Sequence, residues 1–328
     1  MVLIGGLILG FVLLVAGGEI LVRGAVGAAE KMGVSPLLIG LTLVGFGTSM
    51  PEMVVSVQAV FAGSPGLAMG NIVGSNISNT LLIVGFSALL LPMAVARKTI
   101  KRDGVIGLAT TGAFIAISAA LPFDPTVGFL LIAMLIAYLS FVWIQDRDAH
   151  AISEAEAGAL VEKVSLGSIL LSVAIAILGM VVVVTGGTIL VENAIAIARI
   201  WNVPDEVIGL TIVAIGTSLP ELVTAVVAAF RGASDIALGS VLGSNMFNML
   251  SIGGVTSVLA PTPFTMPEHI VVYDNFVMIG AVLLLLFFAW TRNHISRSEG
   301  AVLLFCYIAY ITSLVLFELQ KAATVAAS

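Results

Sequence analysis

Residues 40–52, GLTLVGFGTSMPE, and residues 209–221, GLTIVAIGTSLPE, are two copies of one sequence, identical at nine of thirteen positions under an offset of 169. The same offset lays GNIVGSNISN (70–79) on GSVLGSNMFN (239–248) and Gly17–Gly18 on Gly186–Gly187. A gapless register held over that distance marks an internal duplication. Whatever the first half folds into, the second half folds into as well. Each copy also sets a proline and a glutamate, Pro51–Glu52 and Pro220–Glu221, inside an apolar stretch.

The surroundings of those stretches fix the class. Hydrophobic residues make up 59% of the chain and charged residues 10%, and the mean hydropathy is +1.17. A soluble domain carries about a quarter charged residues. The excess apolar surface must face lipid, and apolar stretches of about 20 residues, the length of a membrane span, recur from end to end. The net charge of −6 comes from loops and a few embedded acids and points to no nucleic-acid partner. A single cysteine, Cys306, excludes an intrachain disulfide. The first basic residue is Arg23, so no charged region precedes the first apolar stretch, which is expected to be retained as a span.

The hydropathy pattern predicts an all-α polytopic membrane protein with ten helices near 2–31, 36–61, 67–91, 104–121, 126–144, 166–200, 205–230, 236–259, 270–290 and 299–319. The polar segment 145–165 divides residues 1–144 from 166–328 and reads as a connecting loop. Five spans per half force the second half to enter the membrane from the opposite side, so the repeats are expected to be inverted. Basic residues set the orientation. With the N-terminus outside, Lys31, Arg97, Lys98, Lys101, Arg102, Arg147, Lys163, Arg231, Arg292 and Arg297 fall on the cytoplasmic side, against Arg199 and Lys321 outside. Both termini are therefore expected outside a cell membrane, with 145–165 in the cytoplasm. The first and sixth helices are long: thirty residues reach about 45 Å, against a hydrocarbon core of about 30 Å.

Ser49 with Glu52, and Ser218 with Glu221, match a capping box for a helix that restarts after a break, with the proline in its first turn. Capping explains the spacing but not the depth, because a carboxylate at mid-span costs about 2.5–3.5 kcal/mol and intramembrane acids are functional by default. Proline breaks the backbone ladder, which is expected to free carbonyls around Gly45 to Thr48 and around Ala214 to Thr217. Unwound backbone at that depth must line a cavity or be buried in protein. Hydroxyls of Thr48, Ser49, Thr217 and Ser218 stand beside it. Ser75 and Asn79 share a helical face, as do Ser244 and Asn248; they serve as packing contacts between close helices or as ligands, and the symmetry with the glutamate motif favours ligands. The set is all oxygen. The three histidines, His150, His269 and His294, fall in expected loops. Such a set suits hard cations such as Ca²⁺ and Na⁺ rather than zinc or copper.

Along its whole length, and most specifically in GTSxPE and GSNxxN, the chain resembles the cation/calcium exchanger superfamily and within it the prokaryotic sodium/calcium exchangers. The resemblance implies that the second, third, seventh and eighth helices form a core around clustered mid-membrane sites for Ca²⁺ and Na⁺. It implies Glu52 and Glu221 as central ligands, joined at the Ca²⁺ site by the carbonyls of Thr48 and Thr217. Ser49, Ser75, Ser218, Ser244 and the carbonyls of Gly45 and Ala214 would complete the sodium sites, with Asn79 and Asn248 between them. It further implies that the first and sixth helices slide across this core. The potassium-dependent branch carries an acid where this chain has Asn248, so potassium-independent exchange is expected. Transported ions, Ca²⁺ and Na⁺, and the bilayer are the only partners implied, with no cofactor. The same scaffold also supports H⁺/Ca²⁺ exchange. A cation channel would show flux without coupling, and no H-E-x-x-H or nucleophile–histidine pair lies within the spans to support an enzyme.

Overall fold

The computed structural model describes residues 2–157, 165–201 and 214–327. Among these, eight helices are long and apolar enough to cross a membrane, and a bent pair makes a ninth span. They are α1 (Val2–Met32), α2 (Pro36–Thr48 and Met50–Phe61), α3 (Pro65–Leu90), α4 (Arg97–Ala120), α5 (Pro125–Asp146), α6 (Leu166–Ile200), α8 (Ser234–Leu259), α9 (Ile270–Arg292) and α10 (Arg297–Phe317). Between α6 and α8 stands α7, described from Ala214 onward as Ala214–Thr217 and Leu219–Phe230. The first part of the seventh expected span, 205–213, lies outside the described residues.

Two boundaries differ from the sequence reading. The α5 helix continues past its apolar part to Ala157, into the segment expected to be a connecting loop. Helix α4 starts at Arg97 rather than at 104. Its first turns carry Arg97, Lys98, Lys101 and Arg102, which read as loop residues. Arg97, Lys98 and Lys101 are exposed and Arg102 is paired with Asp103; long basic side chains can follow a helix end while their charges stay outside the apolar region, so charge alone does not end the helix. Two short strands complete the frame: β1 (Met93–Ala94) pairs antiparallel with β2 (His294–Ile295) and joins the α3–α4 connection to the α9–α10 connection.

Burial sorts the helices. The most apolar stretches of α3 and α8 are 78% and 89% buried, against 22–33% for α1, α4, α5, α6, α9 and α10. The centre is thus built on α3 and α8, with α2 and α7 packed on them. Glycine makes the α2–α8 crossing close: a Cβ at Gly243 would lie 2.4 Å from the Leu41 carbonyl oxygen, and one at Gly45 would lie 2.9 Å from the Ser244 nitrogen. A second seam joins α1 to α6. A Cβ at Gly17 would meet the Val183 nitrogen at 2.6 Å, and its repeat mate Gly186 would meet the Leu14 nitrogen at 2.7 Å. In lipid, where apolar surface gains little from helix contact, backbone approach through small residues is what binds such a pair. The two long helices therefore form one tightly joined unit outside the centre. Glu19 on α1 ties that unit to the end of α7 through Arg231, whose Nε donates to Oε2 at 2.7 Å; Arg23 donates to the same carboxylate.

Candidate functional site

Helix α2 bends by 45° between Thr48 and Met50, where the proline motif puts a break. Ser49 at the bend has φ −83° and ψ 4°, and Ser218 in the second copy has φ −89° and ψ 4°. Each restarted helix holds its proline in the first turn. Both serines occupy the N-cap position, yet neither side chain makes a cap hydrogen bond. The capping-box reading is corrected here: the Ser49 hydroxyl crosses to the other repeat and donates to Glu221 Oε1 at 3.4 Å.

The expectation of freed carbonyls also narrows. Gly45 keeps its helical partner, accepting from the Ser49 N–H at 3.2 Å, and it accepts from the Ser244 hydroxyl at 3.2 Å as well. The Thr48 hydroxyl lies 3.3 Å from that of Ser244 and donates to the Val44 carbonyl at 3.1 Å. Proline's missing N–H falls on the carbonyls four residues back, at Gly47 and Gly216, within the expected stretches.

Glu52 and Glu221 are each 1% exposed, and Thr48, Ser49, Ser75, Ser218, Ser244, Asn79 and Asn248 are all buried. The structure brings Gly45, Thr48 and Ser244 together, and Ser49 with Glu221. Ser75 lies buried on α3. Thr217 lies on α7 and lines a crevice of about 400 Å³ between α2, α6 and α7, which Pro51 and Pro220 also line. Ala214 opens the described part of α7. Among the described residues, no three His, Cys, Asp or Glu side chains gather into a group.

Four amides link the halves. Asn79 Nδ2 donates to Asn245 Oδ1 at 3.1 Å, and Asn248 Nδ2 donates to Asn76 Oδ1 at 3.4 Å. Asn245 in turn donates to the Thr80 hydroxyl at 3.0 Å. Asn79 and Asn248 are repeat mates, as are Asn76 and Asn245, so the two bonds are mates of each other and join the halves twice. Because each donor nitrogen is fastened to the opposite half, the carbonyl ends of Asn79 and Asn248 are left over. Asn76 and Asn245 were missed as site residues; the retained Ser-Asn pair in both GSN motifs was the signal. Turns of π-helix at Asn79–Ile83 and Phe247–Ile252 begin at or beside the two outer asparagines. Such turns often mark functional positions. The sequence reading also left out Glu192, an exposed acid of α6 that lines the crevice.

Several buried oxygens of both repeats remain unpaired. Glu52 Oε2, Glu221 Oε2, Asn79 Oδ1, Asn248 Oδ1 and Ser218 Oγ are buried without a hydrogen-bond partner. A buried polar atom left unsatisfied costs about 1–3 kcal/mol, more when charged, so each demands an explanation. Oxygens from two halves, including two carboxylates and offering no nitrogen or thiol ligand, are what a hard cation requires. A polytopic all-α membrane protein whose halves each bring a broken helix and a buried carboxylate to one cluster is built as a secondary transporter.

Comparison with known proteins narrows this class. A family model described as sodium/calcium exchanger protein matches residues 2–145 and 171–316. The sodium/calcium exchanger MaX1 of Methanosarcina acetivorans is 35% identical, over 94% of this chain and 97% of that protein. CaxA of Alkalimonas amylolytica is 35% identical, over 92% of this chain and 95% of its own. The solved sodium-calcium exchanger NCX_Mj superposes with a TM-score of 0.81 at 30% identity, covering 96% of this chain and 99% of that one. The chain belongs to the sodium/calcium exchanger family.

Proposed function

We propose that this protein exchanges Na⁺ for Ca²⁺ across a cell membrane by alternating access, independently of K⁺ and with net movement of charge. The observation that carries this reading is the set of unpartnered buried oxygens contributed by both repeats. Glu52 and Glu221 supply two negative charges, which balance one Ca²⁺. The hydroxyls of Ser49, Ser75, Ser218 and Ser244, the carbonyls of Gly45, Thr48, Ala214 and Thr217, and the amide oxygens of Asn79 and Asn248 complete the sites for Ca²⁺ and Na⁺. Ca²⁺ and several Na⁺ compete for these oxygens, so the ions take turns. A filled site is nearly neutral and passes between faces. An empty one holds two unbalanced carboxylates in a medium of low dielectric and resists the passage.

Three Na⁺ per Ca²⁺ would move one net charge per cycle, worth about 2.3 kcal/mol per 100 mV, or roughly fifty-fold in the calcium gradient supported. Asn at both 79 and 248 leaves no third carboxylate for K⁺. The moving part is the α1–α6 unit, which is joined along its glycine seam and lies outside the buried centre. With both termini outside and residues 145–165 in the cytoplasm, the halves 1–144 and 166–328 are inverted. The crevice beside Glu192 then lies on the outer side of the α2 break and admits cations from outside.

The test is radiolabelled Ca²⁺ uptake into proteoliposomes with Na⁺, K⁺ and H⁺ gradients imposed one at a time. Uptake should follow the Na⁺ gradient alone and should drive a membrane potential. Uptake driven by a pH gradient in Na⁺-free buffer would assign proton coupling instead, and flux indifferent to every gradient would indicate a channel.

A further inference from the structure

The ion pathway does not use the basic start of α4. Lys98, Lys101 and Arg102 line an open groove of about 620 Å³ between α4 and α5, and Val105, Ile106 and Phe141 form its apolar wall. Val105 and Phe141 are 53% and 42% exposed and lie within the spans, where their neighbours are lipid chains. The groove is thus cationic at the helix end and apolar deeper in.

The cations are only partly answered. Arg97 donates to Asn293 Oδ1 at 3.0 Å. Arg102 gives its Nε and Nη2 to Asp103 at 3.0–3.2 Å. Its side chain is only 9% exposed, and its Nη1 is buried without a partner. Lys98 and Lys101 are exposed and have no hydrogen bond or ion pair among the described residues. A preference for basic residues on one side of a membrane explains charges at a helix end. It does not explain why two unpaired lysines head an apolar groove running between two helices.

We propose that this groove binds an anionic glycerophospholipid of the bilayer. The headgroup phosphate takes the two lysines, and an acyl chain lies along Val105, Ile106 and Phe141. An unpaired lysine next to the membrane surface favours anionic lipid. A free phosphate would use the cations and leave the apolar wall idle. Asp103, which holds Arg102, also borders a small cavity shared with Thr80 and Asn245. The groove therefore lies one residue away from the amide network of the ion site.

The reporter is Trp290, 60% exposed and set beside Arg97 and Lys101. The full chain carrying Trp143→Phe and Trp201→Phe leaves it as the single tryptophan. Reconstituted into phosphatidylcholine vesicles, it is titrated with brominated phosphatidylglycerol or brominated phosphatidylcholine. Quenching should reach half its limit at a far smaller mole fraction of the anionic lipid. Lys98→Gln with Lys101→Gln should weaken that preference about thirty-fold, and each single change about five-fold, so the series stays readable if the double variant misfolds. Equal quenching by the two lipids, or a preference untouched by all three variants, would overturn the site. Displacement of the lipid by millimolar inorganic phosphate would make free phosphate the ligand and overturn the lipid assignment.

Discussion

At Glu52 the backbone is fastened, and at Glu221 the side chain is. Asn71 Nδ2 donates to the Glu52 carbonyl at 3.1 Å and to the Ser56 hydroxyl at 2.9 Å, pinning the restarted half of α2 to α3. The repeat mate of Asn71 is Ser240, whose buried hydroxyl has no partner. Ser49 donates to Glu221, while its own mate, Ser218, has none. Further out, Glu19 binds Arg231; the corresponding positions hold Thr188 and Ala62. The two copies thus agree in the oxygens that face the centre and in the amide pairs that hold Asn79 and Asn248, and differ in what holds the restarted helices and their carboxylates. In the proposed exchange ions leave the same oxygens toward either face, which would explain why duplication preserves those. Supports that were also duplicated would make the two faces energetically equivalent, and unequal supports favour one of them.

The comparison breaks most easily at its largest asymmetry. Asn71→Ala should lower stability by about 1–3 kcal/mol, since two bonds and a helix anchor are lost. Ser240→Ala at the mate position should be neutral or slightly stabilising, because it removes a buried hydroxyl that nothing satisfies. Thermal unfolding in detergent measures both, and equal losses would show that the halves are supported alike. The amides give a smaller and graded effect. Asn245→Ala removes the anchors of Asn79 and Thr80 and should weaken apparent cation affinity about tenfold. Asn76→Ala removes only the longer bond from Asn248 and a contact with the Met278 sulfur and should cost a few-fold. The readout is the half-saturating concentration of Ca²⁺ and of Na⁺ in exchange assays, which general destabilisation would not shift in that order.

Much of the frame is legible in the chain because lipid makes hydropathy, break and charge nearly independent signals. The apolar stretches, the 169-residue register and the Pro–Glu pairs lead directly to the broken α2 and its buried carboxylate. What the sequence could not show depends on crossing depth between halves. Spacing suggests that Ser49 caps its own helix, and only the packed structure reveals Glu221 as its partner. The same holds for Asn76 and Asn245, which lie inside a recognised motif yet act on asparagines of the opposite repeat. Charge misled at Arg97 to Arg102, where the helix begins earlier although these residues are basic, with Arg102 turned back onto Asp103. Gly17 and Gly186 were aligned as repeat mates, but alignment does not say that they sit in one seam between α1 and α6.

The central claim is that one carboxylate from each half holds the same calcium ion. It is tested most directly by Na⁺-driven Ca²⁺ uptake into proteoliposomes made with Glu52→Gln, Glu221→Gln and the double variant. Losing one partner of a buried ionic set costs about 3 kcal/mol or more, roughly a hundredfold. Each single variant should fall by at least that factor, and the double variant should be no worse than either. A single variant that keeps more than about a tenth of the uptake, or two losses that multiply as independent sites would, contradicts the account.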